Sequence, residues 1–348
     1  MRATPLPFPL VIAIFLAAMA FDAVAAASKS SPPANVPRED EAAYQTLVEA
    51  THAVVQVKVK AIANARTSRT LGAERAGSGV LIAPSGLVLT IGYLILEADK
   101  VEVTNHEGRT LPATVVAYDH ATGFGLVRPL GPLGPRPVRL GASGKVEPLD
   151  RVMIASGGGE GAVTIATVVS KRPFAGYWEY AIDGAIFTSP PRPDHPGAAL
   201  INKDGELVGI GSLFVMDAMT PGERLPGNMF VPVDLLKPIL DEMLQTGRSK
   251  AGVRPWIGLN SLEDDGRLKV LRVTEDSPAD EAGLRHGDII LSVNGEKVTT
   301  LAQLYRVIWS AGNPGVELRF KVLQGGGVRD MKVRSLDRLE FLRKKPTS

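Results

Sequence analysis

The sequence predicts a mainly β protein: two strand-rich blocks followed by a small, separate α+β domain. Three observations carry this expectation. Short apolar or alternating runs, broken by turn residues, recur from Val54 to about Pro129. A second set recurs from Val138 to Val233, and the segment from Trp256 to about Arg334 mixes capped helices with strands. A chain of 348 residues has room for two or three domains. At 45% hydrophobic and 22% charged residues, it holds enough apolar material to pack their cores.

In the first block the strands are Val54 to Val59, Ser78 to Ile82, Leu87 to Thr90, Val101 to Val103 and Ala113 to Ala117, rich in β-branched residues. The second block contributes Val152 to Ser156, Val163 to Ser170, Ala198 to Asn202 and Leu207 to Ser212. Two such blocks form either two barrels or one sandwich pair. A helix is expected over Val233 to Gln245, with Leu235, Leu236, Ile239, Leu240 and Met243 on one face, and then a polar hinge from Gly247 to Gly252. In the last domain Ser277 caps a short helix with Pro278 at its first position and Gly283 at its end. The strand Asp288 to Val293 closes at Asn294-Gly295, a pair suited to a tight hairpin turn. Thr300 and Gln303 make a capping box for a second helix with Leu301, Leu304, Val307 and Ile308 on one face. Strands Val316 to Val322 and Val328 to Val333 finish the unit.

Composition removes several function classes. A net charge of +2 from 39 basic and 37 acidic residues does not suit a nucleic-acid coat or a polybasic membrane surface. The one basic cluster, Arg343, Lys344 and Lys345, reads as a solvated terminus. With no cysteine there is no thiol nucleophile, disulfide frame or cysteine metal site. His52, His106, His120, His195 and His286 are scattered without ligand spacing, so no metal and no cofactor are expected. The glycine run Gly157 to Gly161 leads into a strand, whereas a phosphate loop opens a helix, so it reads as a hairpin loop. Gly141 to Val146 lacks the spacing of a nucleotide loop. At the amino terminus Arg2, the apolar run Pro9 to Ala20 and the small residues Ala23-Val24-Ala25 or Ala25-Ala26-Ala27 fit a cleaved secretory signal. The run is shorter than the roughly 20 apolar residues of a membrane span. Residues 1–27 are therefore expected to be a signal peptide, with a retained amino-terminal anchor as the alternative, and 28–45 a flexible leader, with the rest of the chain in the periplasm.

Four matched stretches, Ser277-Pro278-Ala279, Ala282-Gly283-Leu284, Gly287-Asp288-Ile289-Ile290 and Val293-Asn294-Gly295, resemble the central signature of PDZ domains attached to bacterial HtrA proteases. The resemblance implies that the loop Trp256-Ile257-Gly258-Leu259 binds a peptide's terminal carboxylate through backbone N–H groups, as a nest of such donors can. The peptide would add as a strand beside Leu259, its side chains against Leu304 and Ile308; for these two, filling the domain's own core is the alternative. The upstream half resembles the HtrA protease domain. The matches are Gly77-Ser78-Gly79, Ser85-Gly86-Leu87-Val88-Leu89-Thr90, Gly108-Arg109, Asp119 with Thr122, Leu200-Ile201-Asn202 with Gly205-Glu206-Leu207-Val208-Gly209, and Phe230-Val231-Pro232-Val233. The implied fold is a chymotrypsin-like double β-barrel followed by a small α+β PDZ domain. The implied units are 46–246 (protease-like), 247–254 (linker), 255–336 (PDZ) and 337–348 (tail).

The departures from the family pattern bear directly on chemistry. The family's catalytic histidine position reads Tyr93, its acid position Gly123 and its nucleophile position Pro196. A tyrosine titrates at about pH 10 and is a poor proton acceptor at neutrality. Proline offers neither a nucleophile nor the backbone N–H that an oxyanion hole uses, a donor worth about 3 to 4 kcal/mol at the transition state. Asp194 puts a carboxylate where negative charge would develop. A relocated set from Asp194, His195 and Ser189 would draw all its members from one loop region, whereas a triad is held by separate rigid elements. His195 otherwise reads as an exposed loop residue, and His120 beside Asp119 as a surface one. The resemblance thus implies a catalytically inactive HtrA-like protein that binds unfolded proteins or peptide C-termini, as an adaptor or sensor, alone, as a homotrimer or with a partner HtrA protease. The alternative is an active endopeptidase with a relocated catalytic set.

Overall fold

A computed structural model describes residues 38–157 and 162–342. The expected signal peptide, the leader up to residue 37, the basic cluster Arg343 to Lys345 and most of Gly157 to Gly161 lie outside the described residues. The leader expected to reach residue 45 ends earlier, because a helix runs over Arg38–His52. Its charged composition hides the reason: Leu47 is wholly buried in the barrel core, with Tyr44 and Val48 packed against it.

The first block is a closed barrel of β1 (Val54–Ala61), β2 (Glu74–Leu81), β3 (Val88–Ile91), β4 (Ala98–Thr104), β5 (Thr110–Tyr118) and β6 (Phe124–Pro129), in the order β1-β2-β3-β6-β5-β4. Period-two alternation drives it: Val55, Val57 and Val59 point inward along β1 while Lys58 and Lys60 face out. The second block closes likewise from β7 (Arg151–Ala155), β8 (Val163–Gly176), β9 (Tyr180–Ser189), β10 (Ala199–Ile201), β11 (Leu207–Val215) and β12 (Gly227–Pro232). Two barrels, not a sandwich pair, are the outcome. β8 runs well past the expected Ser170, and with β9 it forms a long hairpin whose tip is Tyr177, Trp178 and Glu179.

The helix expected over Val233 to Gln245 is two pieces, a 3-10 turn at Val233–Leu235 and a helix at Leu240–Thr246. Pro238 lies between them; it donates no N–H and its ring clashes with the preceding turn.

The carboxy-terminal domain holds β13 (Pro255–Trp256), β14 (Leu259–Asp264), β15 (Arg267–Val273), β16 (Ile289–Val293), β17 (Glu296–Lys297), β18 (Glu317–Gln324), β19 (Gly327–Arg334) and β20 (Leu336–Asp337). Its main sheet runs β14-β15-β16-β18-β19, so β14 is an edge strand. The local signals act as expected. The Ser277 hydroxyl accepts from Asp280 N, and Thr300 and Gln303 form a reciprocal capping box for the helix Leu301–Ser310. Asn294 and Gly295 both take positive φ, 49° and 83°, as a tight hairpin turn requires. The segment expected as a tail from 337 instead returns: β20 pairs with β13, Asp337 is buried and ion-paired to Arg248, and Phe341 packs on Trp256 at 4.7 Å between ring centroids. Half-buried Phe341, invisible among the surrounding charges, closes this end of the domain onto the barrels through Trp256 and Arg66. Arg66 lies over Phe341 and pairs with Asp276, and Arg254 lies 3.6 Å over Trp309.

Candidate functional site

Two places answer to the expected sites. The first is the cleft between the barrels. Tyr93 stands in a 3-10 turn, Gly92–Leu94, directly after β3. Buried Arg75 pins that turn, donating to the carbonyls of Tyr93 at 3.0 Å and Leu96 at 2.7 Å. β3 pairs with β6, so Gly92 N reaches Gly123 O at 2.6 Å, and Pro196 O accepts from Ser78 N at 2.7 Å beside the same turn. The three positions therefore meet in one cleft, but their side chains form no relay. The Tyr93 hydroxyl donates to Ser212 O at 2.8 Å, and burial pushes its pKa well above the ordinary phenol value. At Gly123 the backbone is left-handed, φ 77°, and a Cβ built there would lie 3.0 Å from the Tyr180 hydroxyl. That hydroxyl donates to Thr122 O at 2.7 Å, so the aromatic ring fills the space an acidic side chain would need. Around Pro196 the neighbouring N–H groups of Gly197 and Ala198 are committed to Gly211 O and His195 O.

The relocated set is not brought together. Ser189 donates to Pro226 O, and His195 Nδ1 faces Arg192 O at 3.1 Å. His195 is half-buried rather than exposed, and burial lowers its pKa. Asp194 is held by the Arg192 guanidinium at 2.8 and 2.6 Å and by the Ser156 hydroxyl. Burial alone would raise the Asp194 carboxyl, but the bonds from Arg192 and Ser156 outweigh it and hold it below the usual range. Its charge is thus paired in place with Arg192 and is not left free to oppose an oxyanion in the way the sequence alone suggests. Neither is His120 a surface residue. It is buried under Arg254 and Arg338, and burial together with those two charges holds its ring well below the ordinary histidine value. The linker and the returning tail, unforeseen as packed elements, cover it. Nearby, Asp119 accepts from Thr122 N at 2.8 Å and from the Ser249 hydroxyl, tying off the turn before Gly123.

The second place is the loop Trp256-Ile257-Gly258-Leu259. Gly258 has φ 84°, and a Cβ there would sit 2.3 Å from Ser277 Cβ, so only glycine lets the backbone turn so tightly. The result is a nest of three successive N–H groups aimed at one point. That point is taken by a carboxylate of the chain itself. Glu179, at the tip of the β8–β9 hairpin, accepts from Ile257 N at 3.0 Å, Gly258 N at 2.7 Å and Leu259 N at 2.8 Å. Burial raises the Glu179 pKa to about 7, and the three amides pull it back only in part. Leu304 and Ile308 are buried in the domain core beneath the hairpin, with Ala175 and Ala181 packed against the same cluster.

Residues 77–210 match the trypsin-like peptidase domain family, and residues 255–334 match the PDZ domain family. A probable periplasmic serine endoprotease DegP-like of Chlamydia pneumoniae is 25% identical over 276 residues, 74% of this chain and 54% of that protein. Serine protease PepD of Mycobacterium tuberculosis is 28% identical over 330 residues, 87% of this chain and 67% of that protein. The chain belongs to the HtrA-type family. Among solved structures, the HtrA-type protease AlgW with decapeptide covers 87% of this HtrA-type chain and 99% of its own, with a TM-score of 0.51 and 19% identity. The same protease with tripeptide gives a TM-score of 0.50 at 21% identity, covering 87% of this chain and 98% of its own. At that identity the likeness speaks for the fold. The chain spans 54% of the Chlamydia relative's length and 67% of the mycobacterial one's.

Four residues central to this HtrA-type structure were not singled out in the sequence: Arg75, Glu179, Tyr180 and Arg192. A charged residue between two aromatics, Trp178-Glu179-Tyr180, is the only local hint of the second and third.

Proposed function

We propose that this HtrA-type chain is a peptide-binding protein of the bacterial envelope whose barrels perform no proteolysis. The carrying observation is the cleft. Tyr93, Gly123 and Pro196 offer no group that can attack a carbonyl, take its proton or orient a base, and Tyr180 fills the space beside Gly123. Peptide binding is supported by the loop Trp256-Ile257-Gly258-Leu259, whose amides already hold a carboxylate in the geometry that a peptide's carboxyl terminus requires. The apolar run Pro9 to Ala20 and the naming of relatives as periplasmic support an envelope location. An adaptor or sensor role, as a homotrimer or beside a partner HtrA protease, fits a scaffold that keeps its binding half.

The names of the relatives, serine endoprotease and serine protease, favour a second reading as a working endopeptidase. A fluorophosphonate probe and unfolded casein separate the two readings. The purified chain is expected to remain unlabelled and to leave casein intact while binding peptides with free carboxyl termini. Labelling of a serine together with turnover that survives repurification would sink the proposal.

A further inference from the structure

A projecting hairpin is commonly solvated at its tip; here Tyr177 stays exposed but Glu179 beside it is buried. The β8–β9 turn leaves the second barrel and enters the groove between the edge strand β14 and the helix Leu301–Ser310. There it makes the contacts of a bound peptide end. Tyr177 O accepts from Ser261 N at 2.9 Å, on the edge of β14 that no other strand of the sheet covers. The Glu179 carboxylate sits in the nest of Ile257, Gly258 and Leu259 amides. Tyr305, on the groove helix, donates to Gly176 O and accepts from Glu179 N at 3.1 Å, clasping the turn from the far side. One backbone bond at the edge of β14, a carboxylate in the nest and apolar contacts from Ala175 and Ala181 to the domain core are all supplied from within the chain.

The local conformation supports the same point. Glu179 is only 2% exposed and has φ 57°, a left-handed backbone that a long side chain rarely adopts. Such a residue persists only where its surroundings over-determine it, and here the determinants are the groove's own donors. The three backbone donors to its carboxylate all come from the PDZ loop, not from the barrel that carries the hairpin.

We infer that the β8–β9 hairpin tip is an internal ligand of the PDZ groove: Glu179 stands where a peptide's terminal carboxylate would stand, and a free-carboxyl peptide binds only once the hairpin has left. This rests on the peptide-binding reading above and adds a regulator to it. The apparent affinity for such a peptide is its intrinsic affinity reduced by the fraction of molecules whose groove is open.

The test uses the full chain, its Glu179→Gly and Tyr305→Phe variants, and a fluorescein-labelled pool of random decapeptides ending in an apolar residue, free-acid or amidated. Glycine accepts φ near 57° without strain, so the first variant removes the carboxylate and keeps the turn. Tyr305→Phe removes the hydroxyl's bonds to Gly176 and Glu179 from the PDZ side and changes no residue of the barrels. Glu179→Gly is expected to bind the free-acid pool at least about tenfold more tightly than the natural chain, with no gain for the amidated pool. Amide hydrogen exchange at residues 257–261, slow in the natural chain, is expected to quicken in both variants without peptide. Equal free-acid affinity in variant and natural chain, or unchanged exchange at 257–261, overturns the inference. If neither protein binds peptide yet protection is lost in the variants, the internal ligand stands and the peptide-binding reading falls. Should Glu179→Gly fail to fold, exchange in Tyr305→Phe decides alone.

Discussion

The cleft between the barrels and the groove of the PDZ domain are both filled by the chain's own residues, yet they are filled in different ways. In the cleft the filling is core: the Tyr180 ring belongs to the main hydrophobic cluster and its hydroxyl is tied to the backbone beside Gly123. In the groove the filling is a polar plug. A carboxylate on three amides, one strand-type bond from Ser261 and two bonds to Tyr305 hold it. Hydrogen bonds exchange readily with a competitor that offers the same groups, whereas packed side chains do not. The first closure is built to be permanent and the second to be reversible.

The sharpest way to break that contrast is to reopen the cleft. The triple change Tyr93→His, Gly123→Asp, Pro196→Ser is expected to yield no measurable casein cleavage. Gly123→Asp alone is expected to lower the unfolding free energy by about 3 kcal/mol in denaturant melts, since left-handed strain and crowding by Tyr180 add. Turnover by the triple variant would show the cleft to be recoverable. Next in size, Leu304→Ala is expected to cost about 3 kcal/mol, read in the same melts, because Leu304 is 1% exposed and packs the domain core under the plug. A loss near zero would assign it to ligand contact instead of core.

A smaller effect sharpens the reversible side. The docked Glu179 carboxyl has its pKa raised from 4.5 to about 7, so the docked state holds a proton that the released one gives up. Docking is therefore strongest below about pH 4.5 and weakens as pH rises through about 7. The other charged or titratable groups acting on Glu179 are Tyr305 from the groove helix, Arg254 before β13 and Arg338 after β20. Burial lowers Arg254 only to about 10 and pushes Tyr305 above its ordinary value, so neither changes charge in this window. Free-acid peptide affinity is expected to rise up to about tenfold from pH 6 to pH 8 in anisotropy titrations. A flat profile would mean that Glu179 does not control entry. Smallest of all, His195→Ala is expected to leave both casein hydrolysis and peptide affinity unchanged; a fall in either would revive a loop-borne catalytic set.

The parts of this molecule legible in the sequence are those fixed by near neighbours. The inward valines of β1, the Thr300 and Gln303 capping box and the Asn294-Gly295 turn each rest on residues a few positions apart. β14 and β15 escaped notice because Glu263, Asp264, Asp265, Arg267 and Lys269 break the apolar alternation along an edge that needs burial on one face alone. The returning tail escaped for a similar reason, with one aromatic, Phe341, among charges. The nest could be placed from its glycine, but its occupant could not. Glu179 lies about eighty residues from its donors, and a lone glutamate at a turn looks like any solvated one. Arg192 illustrates the same limit: the charge of Asp194 is legible, but its pairing with Arg192 two residues away is not, because no spacing rule joins them outside a helix.

The plug and the groove share one polypeptide, and that has a consequence for dose. A separate inhibitor acts in proportion to how much of it is made; a tethered one faces its site at an effective concentration fixed by the span and stiffness of the β8–β9 arm. The quantity of free carboxyl termini needed to empty the groove is then a set point written into the chain. It stays the same whether the cell holds many copies or few, and substitutions along the arm would tune it without touching the nest.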